Sequence, residues 1–152
     1  MNARVGRQAD EFVELARRLK AGGGRIDALI VQMGSNGPLY SEEMEDLRRA
    51  TSEAGVLLLV NDHAPVSWIE ESNEQLEEAA RTWPHTELVD WASVAQDHDR
   101  LTWDETHLTP AGAGVYTRLL TRAVRGAGPY PPPRSAARAP SSSARFDIPS
   151  FW

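Results

Sequence analysis

Ile26-Asp27-Ala28-Leu29-Ile30-Val31-Gln32-Met33 runs directly into Gly34-Ser35-Asn36-Gly37-Pro38. The first eight residues are mostly apolar and follow the glycine break Gly22-Gly23-Gly24. A run so short and so apolar predicts a strand over 26–33 covered on both faces, as inside a parallel sheet. Glycine, asparagine and proline then impose a tight turn at its carboxyl end.

The flanking segments alternate with it. Upstream, Val5 to Lys20 places Phe12, Leu15, Ala16 and Leu19 at helical spacing among charges. Downstream, Ser41 to Ala54 reads as a helix through Met44, Leu47 and Ala54, with an acidic first turn that suits the helix dipole. Gly55 ends it, and Val56 to Val60 is a second buried strand with Asn61-Asp62-His63-Ala64-Pro65 as its exit. Ser67-Trp68-Ile69-Glu70 matches a capping box and predicts a helix through Arg81. Thr86 to Trp91 is a third strand, and a polar loop over Gln96 to Arg100 leads to Asp104-Glu105-Thr106-His107. Thr109 as N-cap and Pro110 at the first helical position open a last helix bearing Val115, Leu119, Leu120, Ala123 and Val124. Strands alternating with helices predict right-handed crossovers and a parallel α/β sheet with helices on both faces.

The chain has 152 residues, 41% hydrophobic and 25% charged, which suits one globular domain. Residues 1–125 form that domain, and 126–152 form a Pro/Ser/Arg-rich tail expected to be disordered. The tail holds six of the ten prolines. It also carries three Arg against one Asp, so a net charge of −6 leaves −8 on the body. Such a body is a poor partner for nucleic acid, which needs clustered Lys and Arg. The absence of cysteine removes disulfides and thiolate metal sites. No run nears the roughly 18 apolar residues of a membrane span, and no signal-peptide core is visible. The default expectation is therefore cytoplasmic, without membrane insertion, and extracytoplasmic if the true start lies upstream.

Chemistry concentrates in two loops. Asp104 and His107 are three residues apart just ahead of a helix. That spacing lets the carboxylate fix the imidazole tautomer and leave Nε2 as a general base; it also suits two polar residues at a helix entry. Asn36, on a turn after a strand, offers an amide to a developing oxyanion, worth about 3 kcal/mol in a transition state. Ordinary turn preference also places Asn and Gly there. Asp62-His63 and Asp97-His98-Asp99 are metal-like in composition, yet they lie in separate loops without a convergent set of ligands. No metal or cofactor is implied. Trp68, Trp83 and Trp91 read as helix–sheet packing, and Glu70 to Glu78 as a solvated helix face.

Taken in order, these pieces resemble the SGNH (GDSL-like) hydrolase family. They are Ala3-Arg4-Val5-Gly6-Arg7-Gln8, Val31 through Gly37, Trp68 with Asn73, Val89-Asp90-Trp91, and Asp104 through Gly112 with its Asp-x-x-His-Leu-Thr core. The resemblance spans most of residues 3–120 and is nearest to SGNH domains attached to membrane acyltransferases that O-acetylate cell-surface sugars. It implies a flavodoxin-like three-layer α/β/α sandwich and attack of a serine on an ester to give an acyl-enzyme. It further implies His107 as base, Asp104 as its orienting partner, and Asn36 with the Gly6 backbone N–H as the oxyanion hole. The implied substrate is an acyl ester, typically acetyl, of a carbohydrate or other small molecule.

The family's Gly-Asp-Ser nucleophile block, at the end of a preceding strand, has no counterpart in this sequence. Only five residues precede Gly6. The expectation is an amino-terminally truncated domain with impaired turnover, whose strand over 26–33 exposes an unpaired edge. A second copy or a partner chain would cover that edge. Ser35 lies inside the oxyanion turn, Ser67 reads as a helix cap and Ser93 as a loop residue, so none is a natural nucleophile. The alternatives are a non-catalytic glycan- or protein-binding module, a pseudoenzyme, and a remnant that does not fold alone.

Overall fold

A computed structural model describes residue 2 and residues 4–126. The tail therefore lies outside the described residues, apart from Gly126. The element order is α1 (Ala9–Ala21), β1 (Ala28–Gln32), α2 (Ser41–Thr51), β2 (Val56–Val60), α3 (Ile69–Thr82), β3 (Thr86–Val89), α4 (Trp91–Gln96), a 3₁₀ turn (Asp99–Leu101) and α5 (Pro110–Gly126).

The sheet is parallel in the order β1-β2-β3, with Leu29 opposite Leu57 and Leu59 opposite Leu88. All five residues of β2 are buried. Its alternating side chains divide two cores, because successive strand residues point to opposite faces. Leu57 and Leu59 join Val13 and Ala16 of α1, Met44 and Leu47 of α2, and Leu76 of α3. Val56, Leu58 and Val60 face the other way, onto Trp91 and Val94 of α4, Leu101, and Leu119 and Ala123 of α5. The arrangement is an α/β/α sandwich, as expected. Each buried aliphatic side chain contributes about 1.5–3 kcal/mol of hydrophobic stabilisation.

β1 departs from the expectation of a strand covered on both faces. Only Val31 is buried, Ala28 is exposed, and Ile30 keeps 39% of its surface in water. The reason is positional: β1 is an edge, and its far side pairs with no strand among the described residues. Three local readings are also corrected. α1 starts at Ala9, not Val5, because Gly6 turns the chain at a left-handed φ of 69° and Gln8 becomes the N-cap. Ser67 does not open α3; the N-cap is Trp68, and no side chain caps the helix there. β3 ends at Val89, where Asp90 accepts from the Ser93 N–H and Oγ and starts α4, so Ser93 is helical. The forecast for α5 matches its start: the Gly112 N–H donates to Thr109 Oγ1 at 3.0 Å, and Pro110 begins the helix.

Gly112 and Gly114 both lie in α5 but differ in surroundings. A methyl group on Gly112 would overlap the Leu101 backbone carbonyl, whereas one on Gly114 would meet only the tip of Arg118 at 3.5 Å. Gly112→Ala is expected to lose about 1–3 kcal/mol through overpacking. Gly114→Ala is expected to gain up to about 1 kcal/mol from helix propensity. Urea unfolding should show the two midpoints moving in opposite directions with similar slopes.

Candidate active site

Parallel strands bring their exits to one rim, and in open α/β sheets that rim is where sites form. The rim here holds the Gly34–Gly37 turn after β1, Asn61 and Asp62 after β2, and Asp90 after β3. Asn61 joins two of these exits: its Nδ2 donates to Asp90 at 2.9 Å, and its Oδ1 accepts from the Ala92 N–H at 2.8 Å. α5 reaches the first exit through Tyr116, whose hydroxyl donates to Gln32 Oε1 at 2.6 Å.

Asp104 and His107 sit in a tight loop ahead of α5. Thr102 and Leu108 form an antiparallel bridge at its neck, and the Trp103 N–H donates to the His107 carbonyl at 2.8 Å. Glu105 occupies the left-handed region at φ 62°, unusual for a residue with a side chain, and this lets the chain double back within five residues. Asp104 Oδ1 then accepts from the backbone N–H of His107 at 2.8 Å and of Thr106 at 3.2 Å. Its Oδ2 lies 2.8 Å from His107 Nδ1. The Asp104 carboxyl is held below its ordinary range, first by the His107 backbone N–H and then by the imidazole. Both side chains are well exposed, at 57% and 76%, so solvent screens their attraction. The carboxylate therefore orients the ring more than it stabilises the fold. Nε2 has no hydrogen-bond partner among the described residues.

The other predicted element, the Asn36 turn, is pinned at two residues. The Gly34 carbonyl accepts from the Trp68 indole at 3.0 Å, and the Asn36 carbonyl accepts from Gln8 Nε2 at 2.8 Å. Gly34 sits at φ 118°, and a methyl group on Gly37 would overlap the Gln8 amide. The left-handed φ calls for glycine at position 34, whereas at position 37 the tip of the Gln8 side chain would have to move aside. The Asn36 side-chain amide has no hydrogen-bond partner among the described residues and is exposed. Gly6 lies two residues ahead of Gln8 on an exposed turn.

The structure thus joins Asp104 to His107, and the Gly6–Gln8 segment to the Asn36 turn. No direct hydrogen bond joins these two pairs among the described residues. No hydrogen bond joins Ser35 to His107 among the described residues. Asp62 itself is not part of a metal-like set: among the described residues no three His, Cys, Asp or Glu converge to hold an ion. A depression of about 330 Å³ between the amino ends of α1 and α2, lined by Asp10, Tyr40 and Glu43 among others, includes neither the dyad nor the turn. Sequence reading passed over Gln8, Gln32 and Tyr116. Its one available signal was a pair of polar residues, Asn61-Asp62, directly after five apolar ones.

No family model matches the chain. Among curated proteins it is 34% identical over 126 residues to YrhL of Bacillus subtilis (strain 168), assigned to the peptidoglycan O-acetyltransferases, and the match covers 82% of this chain and 20% of YrhL. It is 31% identical over 118 residues to the peptidoglycan O-acetyltransferase OatA of Listeria monocytogenes serovar 1/2a (strain ATCC BAA-679 / EGD-e), covering 77% of this chain and 19% of that protein. The chain therefore spans about a fifth of the length of these relatives. Among solved structures, the C-terminal catalytic domain of Streptococcus pneumoniae OatA, carrying a methylsulfonyl adduct, superposes with a TM-score of 0.75 at 20% identity, over 86% of this chain and 81% of that domain. The ordered motifs and the α/β/α sandwich make the chain an SGNH-type domain, similar in sequence to a segment of peptidoglycan O-acetyltransferases.

Proposed function

We propose that this chain is the base-and-oxyanion portion of an SGNH acyl-transfer site handling O-acetyl esters of a glycan. The carrying observation is the Asp104–His107 contact of 2.8 Å on Nδ1, which leaves Nε2 to take a proton. The relatives point to peptidoglycan as the glycan. The nucleophilic serine enters on a further strand laid along the free edge of β1, supplied by a segment outside residues 1–152.

In that mechanism His107 Nε2 removes the serine proton as the hydroxyl oxygen attacks the acetyl carbonyl. Asp104 stabilises the imidazolium. The Asn36 amide and the Gly6 N–H donate to the oxyanion, where preorganised donors act most strongly because they need no reorientation. His107 returns the proton to the departing sugar oxygen. A sugar hydroxyl or water then opens the acyl-enzyme by the reverse sequence.

The exposed His107 and Asn36 side chains, which no direct hydrogen bond joins among the described residues, also suit a second reading, a glycan-binding module without turnover. Assay with an aryl acetate separates the two. The chain alone should show no turnover above background, and a form with a Gly-Asp-Ser strand fused ahead of residue 1 should gain it. In that form His107→Ala should lower kcat/KM by about 10⁴-fold. Asn36→Ala should lower it about 10²- to 10³-fold. Saturable glycan binding with no turnover in either form would replace the enzyme reading by the module.

The dyad has its own test. Nitrogen NMR of neutral His107 should show the Nδ1–H tautomer, and Asp104→Asn should mix the two tautomers. Because the folded carboxylate is depressed, its support of the 102–108 loop is present above the ordinary carboxylate range and is lost as pH falls through the lowered value. The Asp104 carboxyl should therefore titrate below about 3.9, with the His107 amide signal shifting alongside.

A further inference from the structure

The two elements assigned to the oxyanion, the Gly6 turn and the Asn36 turn, are distant in the chain and meet through Gln8. Its side-chain Nε2 donates to the Asn36 carbonyl at 2.8 Å, across 28 residues of sequence. Its backbone is held from the other side. The Gln8 N–H donates to Glu11 Oε2 at 3.1 Å, and Glu11 Oε1 pairs with Arg4. One carboxylate from the first turn of α1 thus brackets Gly6, which sits between Arg4 and Gln8 at a left-handed φ of 69°. These groups are exposed, so the ion pair adds little stability; its effect is to orient the turn. Gly37 supplies the seat for the Gln8 side chain. Its φ lies outside the left-handed region, so the backbone there would accept alanine. Yet all three atoms nearest an added methyl belong to the Gln8 amide, and the methyl would overlap Oε1. The bare backbone at position 37 is what lets the Gln8 amide lie against the turn.

We infer that Gln8 is a positioning residue that sets the spacing between the Gly6 N–H and the Asn36 side-chain amide, with Gly37 as its seat. It acts on the backbone of Asn36 and touches no reacting atom. Trp68 holds the same turn from α3, at the Gly34 carbonyl; the arm from the start of α1 is Gln8. Oxyanion donors work because their placement is set before the charge develops. A misplacement of about 1 Å can cost about 10²-fold in rate. The catalytic meaning of the link rests on the reading of Gly6 and Asn36 as oxyanion donors; the link itself does not.

Two-dimensional ¹⁵N NMR of the full chain tests the link by reading each change on its far side. Gln8→Ala removes the donor, and Gln8→Glu keeps the shape but, once ionised, can only accept. Each should shift the Asn36 side-chain amide well beyond the amides of α5. Gly37→Ala should shift the Gly6 amide, because the displaced Gln8 side chain pulls on its own backbone. Placed in Gln8→Ala, the same Gly37→Ala change should leave Gly6 unmoved, since the obstructing amide is gone. In the strand-completed form, assayed with an aryl acetate, Gln8→Ala should lower kcat about tenfold with KM held. Adding Gly37→Ala to it should lower kcat no further. Three results would overturn the inference: Asn36 signals that ignore both Gln8 variants, a Gly6 shift that persists in Gln8→Ala, or an active completed form whose kcat ignores Gln8→Ala. Coupled signals in a completed form that shows no turnover would instead sink the acyl-transfer reading and leave the link standing.

Discussion

Val56–Val60 has no side open to water, and both hydrophobic layers are built on it. Its backbone is paired on both edges, and its side chains are divided between α1, α2 and α3 on one face and α4 and α5 on the other. A strand so enclosed must run parallel with its neighbours, because each connection is a helix that has to return along the sheet. From that follows the shared rim at which the Asn36 turn, Asp62 and Asp90 all emerge. The site is a consequence of how the core closes.

The two halves of the site are held by different means. The Asn36 turn is fixed from outside, by Trp68 and Gln8, each holding one backbone carbonyl of the turn. The dyad is fixed from within, by a loop that bridges Thr102 to Leu108 and by backbone donors on Asp104. The first device fixes the backbone beneath an exposed Asn36 amide; the second makes an oriented but solvent-washed imidazole. Acyl transfer demands that water be kept from the base. In the proposed reading, a further strand on the free edge of β1, where Ile30 is exposed, would add a wall against that water.

Motif letters carried different physical content. The glycine of Asp104–Gly112 stands where α5 approaches the Leu101 carbonyl, a packing requirement. Trp68 shares its role between partial burial and one donated hydrogen bond to Gly34. Trp91 fills the second core edge-on to Tyr116, with centroids 5.1 Å apart, and starts a helix that periodicity had not revealed. Six residues are too few for a helical stripe to show.

Sequence alone determined the strands, the glycine breaks, the start of α5 and the Asp104–His107 pair. Each depends on residues within a turn or two of one another, where side-chain period, caps and reach leave little choice. Tertiary structure alone decided that β1 is half-exposed, that Ser67 caps nothing, and that Gln32 meets Tyr116, which lies 84 residues further along the chain. A buried polar group takes whichever partner the packed layers bring within reach, and chain order does not encode that partner.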